Sequence, residues 1–318
     1  MTALGTSVRP AGRITAGRGP RYSALALSAY INVLLLITVG SIVRVTGNGL
    51  GCPDWPGCYG QVLPPANPSA WVEFSHRFLA AAATVQIVGL AVLAWRDHRR
   101  EAWVSRPAVA AVGLLVVQIA LGGLHVIYQL PPATGWIHTG VAMGVAGLVA
   151  AQVAVMHPAA QRLTAGAGAA ARDKWLSAAI PLTASAMYLL ILTGSYVTRS
   201  GSSLACPSFP SCGVEASSDS LRRLIDIQML HRFAAFGVAL AACLTLWRLA
   251  RVGGGEGGWR GVTAALTALI VVQFGLGISN VLLRVPMWSR TLHLFVAAAL
   301  WTGLTMLWVI VRRARAVG

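Results

Sequence analysis

The sequence predicts an all-α integral membrane protein: eight transmembrane helices arranged as two tandem four-helix bundles related by a parallel pseudo-two-fold repeat. Three observations predict it. The chain of 318 residues is 56% hydrophobic and only 11% charged, with a mean hydropathy of +0.67. Apolar runs of about 20 residues, enough to cross a ~30 Å hydrocarbon core as helix, fall at 23–43, 76–95, 108–128, 136–156, 176–197, 231–250, 261–282 and 291–311. The chain also repeats itself. GSIVRVTGNGLGCPDWPGC at 40–58 returns as GSYVTRSGSSLACPSFPSC at 194–212, 154 residues later.

Taken in order, residues 1–22 are rich in Gly and Arg and lack the apolar core of a signal peptide. They are expected to form a disordered cytoplasmic tail ahead of a retained first helix. Four spans follow in an N-terminal half, 23–157. A polar, Ala/Gly-rich stretch at 158–175 is the expected cytoplasmic linker, and four more spans fill the C-terminal half, 176–318. Four is an even number, so both halves enter the membrane in the same orientation, as in a parallel repeat. On the outer side, 44–75 and 198–229 are too long for simple helix connections; 129–135 and 283–290 are short. Small residues are frequent in the spans, as close helix packing in lipid prefers.

The net charge of +16 would prompt a nucleic-acid reading in a soluble protein, but its placement argues against one. Arg9, Arg13, Arg18 and Arg21 precede the first span. Arg96, Arg99, Arg100 and Arg106, then Arg162, Arg172 and Lys174, then Arg248, Arg251 and Arg260 lie in alternate connections, and Arg312, Arg313 and Arg315 follow the last span. Most of the 25 basic residues therefore fall on one side. By the positive-inside rule, that makes a multi-pass protein of the cell (plasma) membrane with both termini cytoplasmic. The charge faces lipid and topology; no nucleic-acid partner is expected.

Histidines carry the clearest chemical signal. Glu73-Phe-Ser-His76-Arg77-Phe is matched by Gln228-Met-Leu-His231-Arg232-Phe, and His138 by His293, now 155 apart. The predicted topology puts all four at one depth, His76 and His231 opening the second helix of each half and His138 and His293 the fourth. Intramembrane ionisable residues are rare and usually functional. Neutral imidazole is the commonest metal ligand, and heme iron accepts axial histidines from facing helices. The expected sites are bis-histidine hemes, His76 with His138 and His231 with His293. Zinc would need third and fourth ligands that do not recur. The plain alternative is a polar layer of satisfied helix-end histidines. His98 and His157 fall in cytoplasmic connections. His125 is replaced by Asn280 in the repeat, which leaves a substrate hydrogen bond or a packing role open.

Glu73 breaks the symmetry. It lies three residues before His76, on nearly the same helix face, where a carboxylate can move protons or stabilise developing positive charge. Gln228 keeps its shape without its proton chemistry. The competing role is a first-turn acid favoured by the helix dipole. Arg77 and Arg232 have forks suited to carboxylates such as heme propionates, and equally to snorkelling at a helix end. Arg44 and Arg199 carry the same two readings. Cys52 with Cys58, and Cys206 with Cys212, sit on the oxidising face, either as structural disulfides or as redox-active pairs. Cys243, inside the sixth span, is expected to pack as a small apolar side chain.

GSIVRVTGNGLGCPDWPGCYG with EFSHR, LGGLHV and a histidine opening the fourth helix, followed by MLHRF, LGISNVLL and TLHLF, resembles the heme A synthase family over nearly the whole chain beyond the tail. The resemblance implies a heme-dependent membrane oxidoreductase. It would oxidise a methyl group of heme O to a formyl group, giving heme A for cytochrome oxidase assembly. His76 and His138 would flank heme O as substrate with Glu73 beside it, and His231 and His293 would ligate heme b. Two routes are implied: successive oxygen-dependent hydroxylations, with one histidine letting go, or electron abstraction at the porphyrin with water as nucleophile. Implied partners are an unidentified electron donor and heme O synthase upstream. Some family members keep a cysteine pair only in the first loop; this chain has one in each. The alternatives are a diheme membrane electron-transfer cytochrome, which has no evident need of Glu73 in one half only; a thiol oxidoreductase, which leaves the histidines unexplained; and a heme carrier.

Overall fold

The computed structural model describes residues 19–253 and 258–317. Ten α-helices run in chain order: α1 Gly19–Val45, α2 Pro68–His98, α3 Ala102–Ile127, α4 Pro132–Met156, α5 Pro158–Ala165, α6 Gly168–Arg172, α7 Lys174–Arg199, α8 Asp219–Val252, α9 Trp259–Leu282 and α10 Met287–Val317. A single 3₁₀ turn, Ser202–Leu204, interrupts the second long loop. The described residues contain no β-strand, only an isolated antiparallel bridge between Cys58 and Gln61. Eight helices, all but α5 and α6, are long and apolar enough to span a membrane.

The eight spans close into two rings of neighbours. α1 packs on α2, α2 on α3, α3 on α4 and α4 back on α1; α7, α8, α9 and α10 do the same. The rings meet through α4 against α10, α1 against α10 and α4 against α7. Accordingly, 67% of the apolar window of α4 and 61% of that of α10 are buried, against a third or less elsewhere. Small residues let these central helices approach: Gly147 faces the Trp301 ring. Trp301 Nε1 donates to the Met143 carbonyl at 2.9 Å, and Tyr188 Oη to that of Gly140 at 3.1 Å.

Helix boundaries depart from the hydropathy pattern where polar capping extends a helix beyond its apolar part. α1 starts at Gly19, so the last residues of the expected tail are helical; residues 1–18 of that tail lie outside those described. α2 starts at Pro68, where Asn67 Oδ1 accepts from the Ser69 amide at 3.0 Å and proline occupies a first-turn position that lacks an obligatory donor. α8 starts at Asp219, with Ser218 Oγ accepting from the Leu221 amide at 3.3 Å. His76 and His231 therefore lie within their helices rather than opening them. The expected linker also folds, as α5 and α6. His157 caps α5, and Asp173 caps α7 and pairs with Arg248 at 2.8 Å. Cys243 corrects another expectation: it is exposed on α8 rather than packed.

Candidate functional site

Each of the four repeated histidines lies opposite a glycine on a neighbouring helix. A Cβ at Gly40 would stand 2.8 Å from His76 Cε1, and one at Gly194 would stand 2.9 Å from His231 Cε1. Gly122 faces His138 and Gly277 faces His293, each at 3.4 Å. The rings sit in slots made by missing side chains. His76 and His138 lie close enough for their charges to interact, and so do His231 and His293.

Hydrogen bonds fix the state of the rings. Thr193 Oγ1 donates its one proton to the Leu190 carbonyl at 2.8 Å, so its 2.8 Å contact with His231 Nδ1 must be accepted from the ring. His231 is thereby protonated at Nδ1 and keeps its lone pair at Nε2, the tautomer of a metal ligand. Gln118 Nε2 stands 2.9 Å from His138 Nε2 and Gln273 Nε2 stands 3.3 Å from His293 Nε2. An amide donor there also leaves the lone pair at Nε2. Nδ1 of His76, His138 and His293 is buried without a hydrogen bond among the described residues; the Leu36 carbonyl is within electrostatic reach of His76.

Among α7–α10 a cavity of about 1550 Å³, counting its open mouth, is lined by His231, His293, Gln273 and Gln228. Phe209, Phe236 and Phe274 form an aromatic row along it, with ring centroids 6.1 and 5.4 Å apart. Apolar walls, a pair of histidines whose lone pairs lie at Nε2, one of them now accepting from Gln273, and room for a flat ring fit a heme.

Over each histidine pair lies a loop closed by a disulfide, Cys52–Cys58 and Cys206–Cys212. The arginine following the histidine holds each loop. Arg77 donates through Nη1 to the carbonyls of Asp54 (2.8 Å), Pro56 and Gly57, and through Nη2 to that of Cys52 (3.0 Å). Arg232 does the same at the equivalent positions: Ser208 (2.7 Å), Pro210, Ser211 and Cys206 (3.1 Å). These forks, for which a propionate clamp or snorkelling was the expectation, are engaged by loop carbonyls, a use their rigid planar donors suit. Asp54, half-buried in the first loop, accepts from the amides of Gly60 (2.7 Å) and Tyr59 (2.6 Å). Those bonds, Gly60's first, hold its carboxyl below the usual range.

Glu73 is 5% exposed and so is Gln228. Arg77 Nε binds Glu73 Oε1 at 3.1 Å. In the second ring Gln228 Nε2 donates to the Ser203 carbonyl at 2.9 Å, its Oε1 accepts from Arg232 Nη2 at 3.3 Å, and Arg232 Nε is left without a partner. A buried carboxylate thus stands beside one histidine pair, and a neutral amide hydrogen-bonded through both its nitrogen and its oxygen stands beside the other. His125 bonds Thr134 Oγ1 through Nδ1 at 2.7 Å and also lies close enough to His138 for their charges to interact. His98 bonds Glu101 at 2.9 Å on the opposite side. Sequence reasoning passed over the slot glycines and Gln118, Gln273 and Thr193. The signal for all but the threonine was their recurrence at the repeat offset.

Fold and site define a multi-pass helical membrane protein with two buried histidine pairs, each beneath a disulfide-closed loop. The chain belongs to the COX15-CtaA family of cytochrome oxidase assembly proteins, whose sequence model matches residues 23–73 and 68–305. It is similar to the heme A synthase of Shouchella clausii (strain KSM-K16), 29% identical over 304 residues, 92% of this chain and 97% of the relative. It is also 29% identical to the heme A synthase of Alkalihalophilus pseudofirmus over 293 residues, 89% and 95% of the two chains. Identity to that of Bacillus licheniformis is 27% over 302 residues, 92% and 96%.

Proposed function

We propose that this protein is a heme A synthase, an oxidoreductase that converts a methyl group of heme O to the formyl group of heme A for cytochrome oxidase assembly. Family membership and the relatives' shared activity support the reaction. The observation that carries the assignment within the chain is Glu73 against Gln228: two like sites, of which only one has a proton-accepting group.

In this reading His76 and His138 hold heme O, and His231 and His293 hold heme b. The two rings of helices form halves related by a pseudo-two-fold axis along the membrane normal, divided near 158–175. When bound, heme b supplies one-electron redox chemistry next to the substrate half. The rest falls to side chains. The slot glycines leave room for the histidine rings that would hold the tetrapyrrole. The disulfide-closed loop excludes water above it. Glu73 takes up the proton released as the methyl carbon is oxidised, and stabilises positive charge building beside it. Arg77 binds both Glu73 and the loop, so the carboxylate is in position when the loop is in place. The positive-inside pattern supports a cell-membrane protein with cytoplasmic termini. The oxygen atom and the oxidising power come from one of two sources. One is dioxygen, through two hydroxylations that each consume two electrons from a donor and release water, before the gem-diol loses water. The other is water, with the electrons passed to an acceptor. Transfer of heme O from heme O synthase completes the scheme. A diheme electron-transfer cytochrome is not favoured, since its two sites would have no need to differ at Glu73.

Mass analysis of hemes extracted from cells that make heme O tests this directly. Heme A is expected with the wild-type chain, and only heme O or a hydroxylated heme with Glu73→Gln. A heme-loaded wild type that leaves heme O unchanged, with its electron donor present, would sink the proposal.

A further inference from the structure

We infer that Arg44 and Arg290 form a carboxylate-binding subsite at the rim of the C-terminal cavity, built from both halves of the chain, and that it takes the propionates of the tetrapyrrole held by His231 and His293. The inference rests on the heme reading above and goes beyond it by assigning the residues that anchor the ring's charged edge.

The cavity lies among α7–α10, yet Arg44, at the end of α1, lines it together with Arg290. Arg290 sits one turn ahead of His293 on α10, hence on nearly the same face. Both side chains are half-buried, and Arg290 Nε is buried without a hydrogen bond among the described residues. Arg44, Arg199 and Arg290 stand close enough for their charges to repel one another. None of the ion pairs among the described residues includes any of the three. On this side of the protein, Glu73 is bound to Arg77 and Asp54 to backbone amides. Glu215, Asp219 and Asp226, in the second long loop and the start of α8, form no ion pair with the three arginines. Three cations partly out of water and without a carboxylate are unfavourable together unless an anion joins them.

Guanidinium forks match carboxylates in bidentate geometry. The cavity's histidines fix which carboxylates can reach this rim, namely those on the edge of a ring already held at its centre. A diffusible phosphate or a lipid headgroup would offer similar charge but no reason for the subsite to open into the histidine cavity. The other site is built differently. Counting back by the repeat offset of 155, Gly135 stands where Arg290 does, and a Cβ at Gly135 would overlap the guanidinium of Arg199, which reaches over from α7. An arginine crosses the seam in each direction, but only the C-terminal cavity adds one of its own.

The test is competition. The full-length chain in detergent is incubated with an equimolar mixture of hemin and hemin dimethyl ester, whose carboxylates are capped. The retained hemes are then quantified by mass and by their low-spin absorption. Wild type is expected to favour the diacid at least tenfold, and Arg44→Gln/Arg290→Gln to lower that preference below threefold while keeping low-spin heme. No preference in wild type, which needs no variant to fold, overturns the subsite. So does an unchanged preference in the double variant with low-spin heme intact. Absence of low-spin heme from wild type, or its survival in a His231→Ala/His293→Ala variant, would instead bring down the heme reading itself. Added phosphate or anionic lipid abolishing the preference in wild type would assign the arginines to those anions and overturn the proposal.

Discussion

Adding one methyl group at Gly194 tests the histidine slots with an internal control. A Cβ there would meet His231 Cε1 at 2.9 Å, whereas the same change at Gly277 meets His293 Cε1 at 3.4 Å. The first contact must open by about half an ångström, which is the whole positional tolerance of a preorganised ligand, roughly 0.5 Å. The second is ordinary van der Waals contact. Overpacking of this kind costs about 1–3 kcal/mol, or roughly 5- to 150-fold in affinity at ~1.4 kcal/mol per decade. The helix itself gains up to about 1 kcal/mol when alanine replaces glycine, so global stability changes little and the loss falls on the site. The assay is the rate of heme loss from the purified chain to an excess of scavenger, with the melting temperature measured alongside. Gly194→Ala is expected to release heme from the His231 site at least tenfold faster than wild type, with Gly277→Ala within about threefold. Equal retention in the two variants would refute both the slot and His231 as a ligand.

Arg77→Lys keeps the charge but cannot reach four carbonyls and Glu73 at once. With bonds to a charged donor worth about 1.5–3 kcal/mol each, limited proteolysis within 52–61 should rise at least tenfold and heme A output fall with it; unchanged cleavage would remove Arg77 as the loop's anchor. Asp54 has a depressed carboxyl, so its contribution to loop order is complete above the ordinary aspartate range of about 3.9 and is lost as pH falls through the lower folded value. Asp54→Asn should therefore loosen the loop at neutral pH, where acidification of wild type does nothing; proteolysis at pH 7 checks this. Val39 occupies the repeat position of Thr193. Val39→Thr is expected to tether His76 at Nδ1, slowing heme release from the first site several-fold and lowering turnover. Faster release would contradict the tethering role read from His231.

The spans and their order were legible because hydropathy is a property of composition along a line, and each apolar run needed only length. Glu73, the histidines and the cysteine pairs were legible because the chain carries its own second copy. Boundaries were not. α8 begins with Asp219, Arg222, Arg223 and Asp226, turns too polar to enter an apolar window but well able to form helix under a Ser218 cap. The role of Arg77 was also out of reach. Its partners are backbone carbonyls some 20 residues earlier, brought beneath it only when the disulfide loop folds back, and carbonyls leave no mark in a sequence. Arg44 and Arg199 were ambiguous for a related reason: each points into the opposite ring of helices, and no within-half pattern foretells contacts across the seam.

The two sites differ in ways that all point in one direction. His231 is locked by Thr193 into one orientation and one tautomer, whereas the repeat equivalent at His76 is Val39 and leaves Nδ1 unbonded. The cavity of His231 and His293 has its own arginine at position 290, where the first site has Gly135. Gln228 closes its environment with neutral hydrogen bonds, while Glu73 brings an ionisable group into the same depth. Each difference makes the second site tighter and chemically quieter, and the first looser and more reactive. A retained cofactor needs the former, because every release would interrupt turnover. A substrate that arrives, reacts and departs needs the latter, because a ligand held too firmly lowers the ground state as much as the transition state and gains no rate. On the proposed reading, duplication followed by this divergence would turn one heme-binding bundle into a pair in which one member holds and the other converts.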